Sequence, residues 1–292
     1  MKVINHIGLS SGKDSTALWG WAINESGYDP ATIRGSFCDT ENEYDDVYDQ
    51  IRILDAYGQR HGIAPVRTLR SMGFLGLVLW KQRFPGAKSR FCTEQLKMIP
   101  SKYYIQELQL EGFDVLSHSG VRRDESDERS VLEENGFSEW LQCPVRRPLL
   151  DWKLDDVWAV HKRYGLPINT LYNTGRKRVG CKLCCMSNKE DIRITAKTRP
   201  ETIDTYREWE RIATEQAGGK GHYKSFFPAD KVPLVQRSET FISRKTGEIH
   251  KVCTIDDAVR WSFTLHGGTQ GGFDFMFQED DANEPCKMGY CE

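Results

Sequence analysis

Short apolar runs alternate with helix-period stretches along the first half of the chain. Val3-Ile4-Asn5-His6-Ile7-Gly8-Leu9 reads as a mostly apolar strand. It runs into a turn of small residues, Ser10-Ser11-Gly12-Lys13-Asp14-Ser15-Thr16, and then into the helix-like Ala17-Leu18-Trp19-Gly20-Trp21-Ala22-Ile23. Strand, tight turn and helix open a parallel βαβ unit. The pattern predicts a second strand over 32–38 that ends on Asp39-Thr40, and a helix from Glu43 to about Gly58. Further strands are predicted over 65–69 and 113–119, the last ending on Gly120-Val121-Arg122-Arg123. The alternation implies a doubly wound, mostly parallel α/β sheet. Ligands of such sheets sit beyond the C-terminal strand ends, where the turns after Leu9, Cys38 and Ser119 all fall.

The later region is less regular. Leu154, Val157, Trp158 and His161 give residues 154–164 helical spacing, and 200–215 and 255–263 read as further helices. Residues 175–186 form a basic, cysteine-rich loop, and 275–292 an acidic stretch punctuated by Gly, Asn and Pro, expected to be a mobile tail.

Composition narrows the class. The 292 residues are 39% hydrophobic, which excludes a disordered or collagen-like chain. A formal net charge of −2 excludes a polycation, so any nucleic-acid surface is a local patch. The longest apolar stretch, Gly73 to Trp80, is far short of the roughly 20 residues a bilayer helix needs. The first residues carry no signal-peptide core, and a cytoplasmic location is expected. Nine cysteines, an odd and partly clustered set, point in a reducing compartment to a metal or to thiol chemistry.

The first turn is not a Walker loop. Only three residues separate Gly8 from Gly12, and Asp14, not a hydroxyl residue, follows Lys13. Its physics still suits phosphate: small residues admit an anion to backbone N–H groups, a helix N-terminus follows, Lys13 adds a charge, and Asp14 suits Mg²⁺. The alternative is an ordinary strand–helix turn with a serine N-cap.

Residues 10–15 resemble the Ser-Gly-Gly-x-Asp-Ser loop of the PP-loop ATP pyrophosphatases, the adenine nucleotide α-hydrolase superfamily, with Ser11 in place of a glycine. Phe37-Cys38-Asp39-Thr40-Glu41-Asn42-Glu43 resembles the Asp-Thr-Gly-x-Glu segment of its phosphoadenosine-phosphosulfate (PAPS) reductase branch, with Glu41 and Asn42 departing. Gly120-Val121-Arg122-Arg123-Asp124-Glu125-Ser126 resembles that branch's Gly-x-Arg-x-x-Glu-Ser, and segments from Arg147 to Cys181 resemble its later signature. The resemblance covers about residues 3–187. It implies a Rossmann-like nucleotide-binding domain over 1–187 and a mainly helical, irregular C-terminal extension over 188–292. It further implies ATP and Mg²⁺ as cofactors, Ser10, Ser11, Gly12, Lys13, Asp14, Ser15, Asp39 and Gly120 as binding residues, and Lys13, Asp14 and Arg122 as catalytic ones. Without the motif, Arg122 reads rather as a surface partner of Asp124 or Glu125.

Cys181-x-x-Cys184-Cys185 lies beside Arg176-Lys177-Arg178, and a C-x-x-C turn aims two sulfurs at one point. Iron–sulfur members of the family, the DNA-phosphorothioation type among them, combine such a turn with an earlier cysteine. Cys92 matches that position, although Phe91 and Thr93 flank it where the family has a cysteine pair. The resemblance thus implies Cys92, Cys181, Cys184 and, by adjacency, Cys185 around a [4Fe–4S] cluster, with Cys143 or Cys286 as other fourth ligands. Zinc and no metal remain open. Cys38 and Cys253 sit in apolar settings and are expected in the core. Cys286 and Cys291 lie in the acidic tail.

Residues 67–102 carry eight Lys/Arg and one acid, interleaved with Trp80, Phe84 and Phe91 and followed by Tyr103, and Arg146-Arg147 add to this basic set. Such a set suits a nucleic-acid backbone, or the phosphates of the nucleotide itself. Asp39 to Asp49 carries six acids and no base, expected to be mostly a solvated helix start. The expectation is an adenylating sulfurtransferase acting on a substrate oxygen, a nucleic acid among the candidate acceptors. A sulfur-donor protein of the cysteine desulfurase type would be its partner. The rivals are a sulfonucleotide reductase, with Cys286 as nucleophile, and a catalytically dead nucleotide- or nucleic-acid-binding module.

Overall fold

The computed structural model describes residues 2–218, 223–237, 240–242, 247 and 249–265. The acidic stretch 275–292, with Cys286 and Cys291, lies outside them. The described chain divides into two compact units, the first made of residues 2–73 and 93–181, the second of 74–92 and those from 182 onward.

The first unit is built on six strands: β1 (Val3–Leu9), β2 (Ile33–Asp39), β3 (Arg67–Arg70), β4 (Asp114–His118), β5 (Asn135–Ser138) and β6 (Cys143–Arg146). Their order is β3-β2-β1-β4-β6-β5, with every pairing parallel except the terminal β5–β6 pair. This is a doubly wound, mostly parallel α/β sheet. Strand order reverses between β1 and β4, so their C-terminal ends open the crevice where such sheets take ligands.

The helices of the chain are α1 (Lys13–Asn24), α2 (Asp45–Arg60), α3 (Gly73–Lys81), the single turn α4 (Phe91–Thr93), α5 (Ile99–Leu110), the short α6 (Asp127–Ser130), α7 (Leu154–Tyr164), α8 (Lys189–Thr198), α9 (Pro200–Gln216) and α10 (Ile255–Ser262). On one face of the sheet, Ile7, Leu9 and Phe37 pack with apolar residues of α1, α2 and α7. Trp19 of α1 is fully buried there, and its indole Nε1–H donates to Leu54 O at 3.1 Å. Gly58 of α2 lies under that ring: a Cβ there would stand 2.6 Å from Cζ2 of Trp19, so any larger residue would push the two helices apart. On the other face Ile4 and Val115 pack with Tyr104, Ile105 and Leu108 of α5.

Besides the short α4 and α6, three helices escape the hydrophobic pattern. Residues of α3 are apolar without a helical period, and Leu77 and Val78 are fully buried, so no polar face marks the helix. α5 follows a basic stretch and a π-helical turn, Glu94–Met98. α8 opens on a capping box, with Asn188 accepting from Asp191 N and Asp191 accepting from Asn188 N.

In the second unit α8, α9 and α10 pack on one another, and Tyr206 of α9 joins an aromatic cluster with Phe74, Phe84, Phe226 and Phe227. Glu210 is buried on α9. Its carboxylate accepts from Phe226 N at 2.7 Å, Ile255 N at 3.0 Å and the Tyr223 hydroxyl at 3.0 Å. A two-stranded ribbon, β7 (Thr240–Ile242) with β8 (Ile249–Lys251), completes the unit's described regular structure.

Among the described residues no helix is long and apolar enough to cross a membrane.

Candidate functional site

The turn after β1 is held by its own serines. Ser15 Oγ accepts from Ser10 N at 3.2 Å and donates to Gly12 O at 3.1 Å, and the Ser10 hydroxyl lies 3.0 Å from it. Gly12, not a serine, is the N-cap of α1, and no side chain caps it. Ser11 takes a left-handed conformation with φ +65°, which accounts for the glycine usual at this position, and it is completely buried. Its hydroxyl accepts from Asn169 Nδ2 at 3.3 Å. A short 3₁₀ turn, Thr170–Thr174, follows Asn169 and sets the Tyr172 hydroxyl to accept the Lys13 N–H at 3.0 Å. His161 of α7 reaches Lys13 O with Nε2 at 2.8 Å, and burial lowers its pKa.

Charge converges on Asp14. Lys13 Nζ is 2.8 Å from Oδ2, and Arg122 Nε donates to Oδ1 at 2.7 Å. Arg122 is buried, not on the surface. It also pairs with Asp124 at 2.5 Å, while its backbone N–H donates to Glu125 Oε2 at 2.8 Å. Burial opposes the guanidinium's charge, but the Asp14 carboxylate, with Asp124 and Glu125, outweighs it and raises the pKa. A Cβ on Gly120 would lie 3.3 Å from Asp14 O, so the end of β4 passes close against the first turn of α1. The structure therefore gathers Ser10 to Ser15, Gly120 and Arg122 at one place.

Asp39, the last residue of the neighbouring β2, is buried and accepts from Tyr48 OH at 2.7 Å, Arg70 Nε at 3.1 Å and Glu41 N at 3.0 Å. Burial and the Asp39 contact raise the Tyr48 phenol pKa. Asp39 and Glu43 are buried, unlike the other acids of the Asp39 to Asp49 run.

A cleft of about 950 Å³, open mouth included, runs from Ser10 and Ser15 over the α5 face of the sheet, reaching His6, Ser36 and Ser117. Sequence reasoning missed these three. A lone histidine in a strand carries no signal, and only their same-face positions on β1, β2 and β4 could have suggested them. Cys38 also lines this cleft. It is half-buried and packs against the α5-face core, as its apolar setting implied, while its position on β2 faces the Lys97–Ser101 segment, where Sγ lies 3.3 Å from Ser101 Oγ. Cys253 is buried as expected, and Cys143 on β6 is buried in the α5-face core with Ile4 and Val115.

In the second unit Cys185 hydrogen-bonds with both Cys184 and Cys92, and these contacts with burial raise its thiol pKa. Ser187 Oγ accepts from Cys184 N at 3.0 Å, and Lys231 Nζ donates to Ser187 O at 2.5 Å. Three of the four expected sulfurs are thus gathered, while Cys181 is half-buried at the last position of the first unit. Among the described residues no group of three or more His, Cys, Asp or Glu is arranged to hold a metal ion. The donors are of the soft type that iron–sulfur clusters and zinc take, but they are not set in a finished metal geometry.

The basic segment is less of a platform than its composition suggests. Phe84 and Phe91 are buried, and Arg147 is buried against Glu133 O. Arg146 pairs with Glu134 and the Tyr28 hydroxyl. Trp80 is 57% exposed, with Lys81 Nζ 4.1 Å from its ring centroid, and Tyr103 is also exposed.

Residues 5–187 match the phosphoadenosine phosphosulfate reductase domain family. The chain belongs to that family. The match contains the whole β1–α1 turn, Asp39, Gly120, Arg122 and all the clustered cysteines. Along 99% of its length the chain is 30% identical to an uncharacterized 37.8 kDa protein of Escherichia phage 186, of which it covers 97%. It is 26% identical to an uncharacterized protein of Methanocaldococcus jannaschii over 72% of the chain, but spans only 42% of that protein. The adenosine 5′-phosphosulfate reductase 2 of Bacillus subtilis is 24% identical over 53% of the chain and 62% of the reductase. Among solved structures, a PAPS reductase of Candida auris overlaps 61% of the chain and 80% of its own at TM-score 0.45 and 18% identity. The U34-tRNA thiolase NcsA of Methanococcus maripaludis, solved with its [4Fe-4S] cluster, overlaps 73% and 72% at TM-score 0.39 and 16% identity.

Proposed function

We propose that this PAPS reductase-family protein is an ATP pyrophosphatase-type enzyme that adenylates a substrate oxygen in preparation for sulfur transfer. The observation that carries the reading is the convergence of Lys13, Asp14 and Arg122 at the glycine-capped start of α1, on the crevice side of the sheet. In the reaction the acceptor oxygen bonds to the α-phosphorus, the bond to the bridging oxygen of the β-phosphate breaks, and pyrophosphate leaves. Negative charge grows on phosphate oxygens, so cations and oriented N–H groups stabilise the transition state more than the ground state. Lys13 supplies one cation. Arg122 holds the Asp14 carboxylate in place. Asp14 is the residue that would hold Mg²⁺, which supplies Lewis-acid neutralisation of the phosphates when bound.

The same reading gives the thiols Cys92, Cys184 and Cys185 to the sulfur side of the reaction, as donors to an iron–sulfur cluster that would hold or relay sulfur. A nucleic acid is the acceptor class favoured by the exposed Trp80 with Lys81 against it. The test is release of pyrophosphate and AMP from ATP and Mg²⁺ in the presence of nucleic acid and a sulfur donor. Turnover that falls about a hundredfold or more in Lys13→Ala and Asp14→Asn supports the reading. Absence of both turnover and ATP binding in the wild-type protein overturns it.

A further inference from the structure

Parallel strands covered on both faces ordinarily read as continuous apolar runs. The C-terminal halves of β1, β2 and β4 break that rule on the α5 face, where His6, Gly8, Ser36 and Ser117 line the cleft. His6 and Ser117 are register partners across β1–β4, and Gly8 and Ser36 are partners across β1–β2. A Cβ at Gly8 would meet nothing within 4 Å, so the space above the strand is open at this point.

His6 is fixed at both nitrogens. Nε2 lies 2.8 Å from Ser36 Oγ, and Nδ1 lies 3.2 Å from Ser117 Oγ. The ring edge also packs against Tyr104 of α5, with centroids 5.7 Å apart. Burial, with a smaller contribution from His118, lowers the His6 pKa to about 4, so the imidazole is neutral near neutral pH. A neutral imidazole has one donor and one acceptor nitrogen. One serine therefore gives its proton to the ring, and the other accepts from it and keeps a proton to donate. Whichever tautomer is present, Ser36 and Ser117 offer the cleft one hydroxyl donor and one hydroxyl acceptor. That pairing suits an uncharged edge carrying both donor and acceptor groups. It does not suit a phosphate, which only accepts.

We propose that His6 is a positioning residue at the far end of this cleft, holding the Ser36 and Ser117 hydroxyls so that they read the hydrogen-bonding edge of the nucleobase whose phosphates meet the Ser10 to Ser15 turn. The inference rests on the nucleotide reading given above. It divides the cleft into an end at Ser10 and Ser15 for the phosphates and an end at His6 for the base, both lined by the same first unit.

Equilibrium binding of ATP and of inorganic tripolyphosphate to the full chain separates the two ends. The wild-type protein is expected to bind ATP more tightly than tripolyphosphate. In Ser36→Ala/Ser117→Ala, ATP affinity is expected to fall about tenfold, the scale of two lost neutral hydrogen bonds, with tripolyphosphate affinity unchanged. His6→Gln, which keeps a donor and an acceptor, is expected to fall less than His6→Leu. Equal wild-type affinity for the two ligands would remove the base site while leaving the phosphate site standing. Parallel loss of both ligands in the serine double variant would show a merely structural role and overturn the proposal. Failure of the wild-type protein to bind either ligand would overturn the nucleotide reading itself, and the base site with it.

Discussion

Arg122 and Asp14, 108 residues apart in sequence, meet through a 2.7 Å hydrogen bond with side chains 6% and 2% exposed. The pair joins the loop after β4 to the first turn of α1, the two segments that flank the crevice between β1 and β4. Lys13 is the second cation on the same carboxylate. Taking away one member of such a buried pair leaves the other desolvated and uncompensated, which costs more than the pair itself contributes. Arg122→Met is therefore expected to lower unfolding stability by about 3–5 kcal/mol, since Lys13 compensates only part of the charge. Asp14→Asn/Arg122→Met should lose less than the sum of the single changes. Urea unfolding of the four proteins of this cycle measures the coupling, and additive losses would show that the two residues do not act on each other.

Ser11 supports a second expectation about the same turn. Its φ of +65° costs an L-residue roughly 1–2 kcal/mol, and the contact from Asn169 Nδ2 returns about 0.5–1.5 kcal/mol. The two nearly cancel, so Ser11→Gly should leave stability within about 1 kcal/mol of wild type and keep nucleotide binding. Ser11→Val loses the contact and adds a β-branched side chain in the left-handed region, in a position with no exposed surface. It should lose about 2 kcal/mol or more and bind ATP poorly. Thermal melts with and without ATP would decide it; a valine variant as stable as the glycine one contradicts the account.

How much of this was legible beforehand depends on whether the signal was local. The strand–turn–helix from Val3 to Asn24 and the helix Leu154–Tyr164 declared themselves through periodicity and breakers. α3 did not, because a helix apolar on all sides has no period to read. Without the family motif Arg122 read as a surface partner of Asp124 or Glu125; it does pair with Asp124, but the fold buries it against Asp14, a relationship that no spacing reveals. Cys38 packs against the core as its apolar neighbours implied, but that it also lines the cleft beside Ser101 could not be read from them. The neutral clamp on His6 is built from three strands and was invisible for the same reason.

The thiol trio predicts which cysteines matter to a metal. Cys185 contacts Cys184 and Cys92, whereas Cys143 and Cys253 are buried elsewhere. Protein purified anaerobically is expected to carry iron and acid-labile sulfide, and to lose most of both in Cys92→Ser and in Cys185→Ser. Cys143→Ser should retain them. Iron and sulfide analysis checks this directly. Iron-free wild-type protein, or full retention in Cys185→Ser, would remove the cluster from the proposed function without touching the nucleotide site.

Glu210 makes the stability of the second unit depend on pH. Burial, more than offsetting the N–H groups of Phe226 and Ile255, pushes its carboxyl up to about 7 from the ordinary glutamate value of 4.5. A folded-state pKa above the unfolded one means that the native state holds the proton more tightly. The associated stabilisation is fully present below about pH 4.5 and is lost as pH rises through about 7. Its size is on the order of a few kcal/mol. Unfolding of the full chain followed at Trp209 and Trp261 should therefore show stability falling between pH 5 and 8, roughly, through this group. In Glu210→Gln the single amide oxygen can accept from only one of the two backbone N–H groups, which meet different carboxylate oxygens, so the slope over that range should flatten while stability near pH 5, roughly, falls by about 1–3 kcal/mol for the donor left without an acceptor. A Gln variant with an unchanged slope would place the pH dependence on some other group. One destabilised equally at every pH would show that the carboxylate is held charged by its three donors.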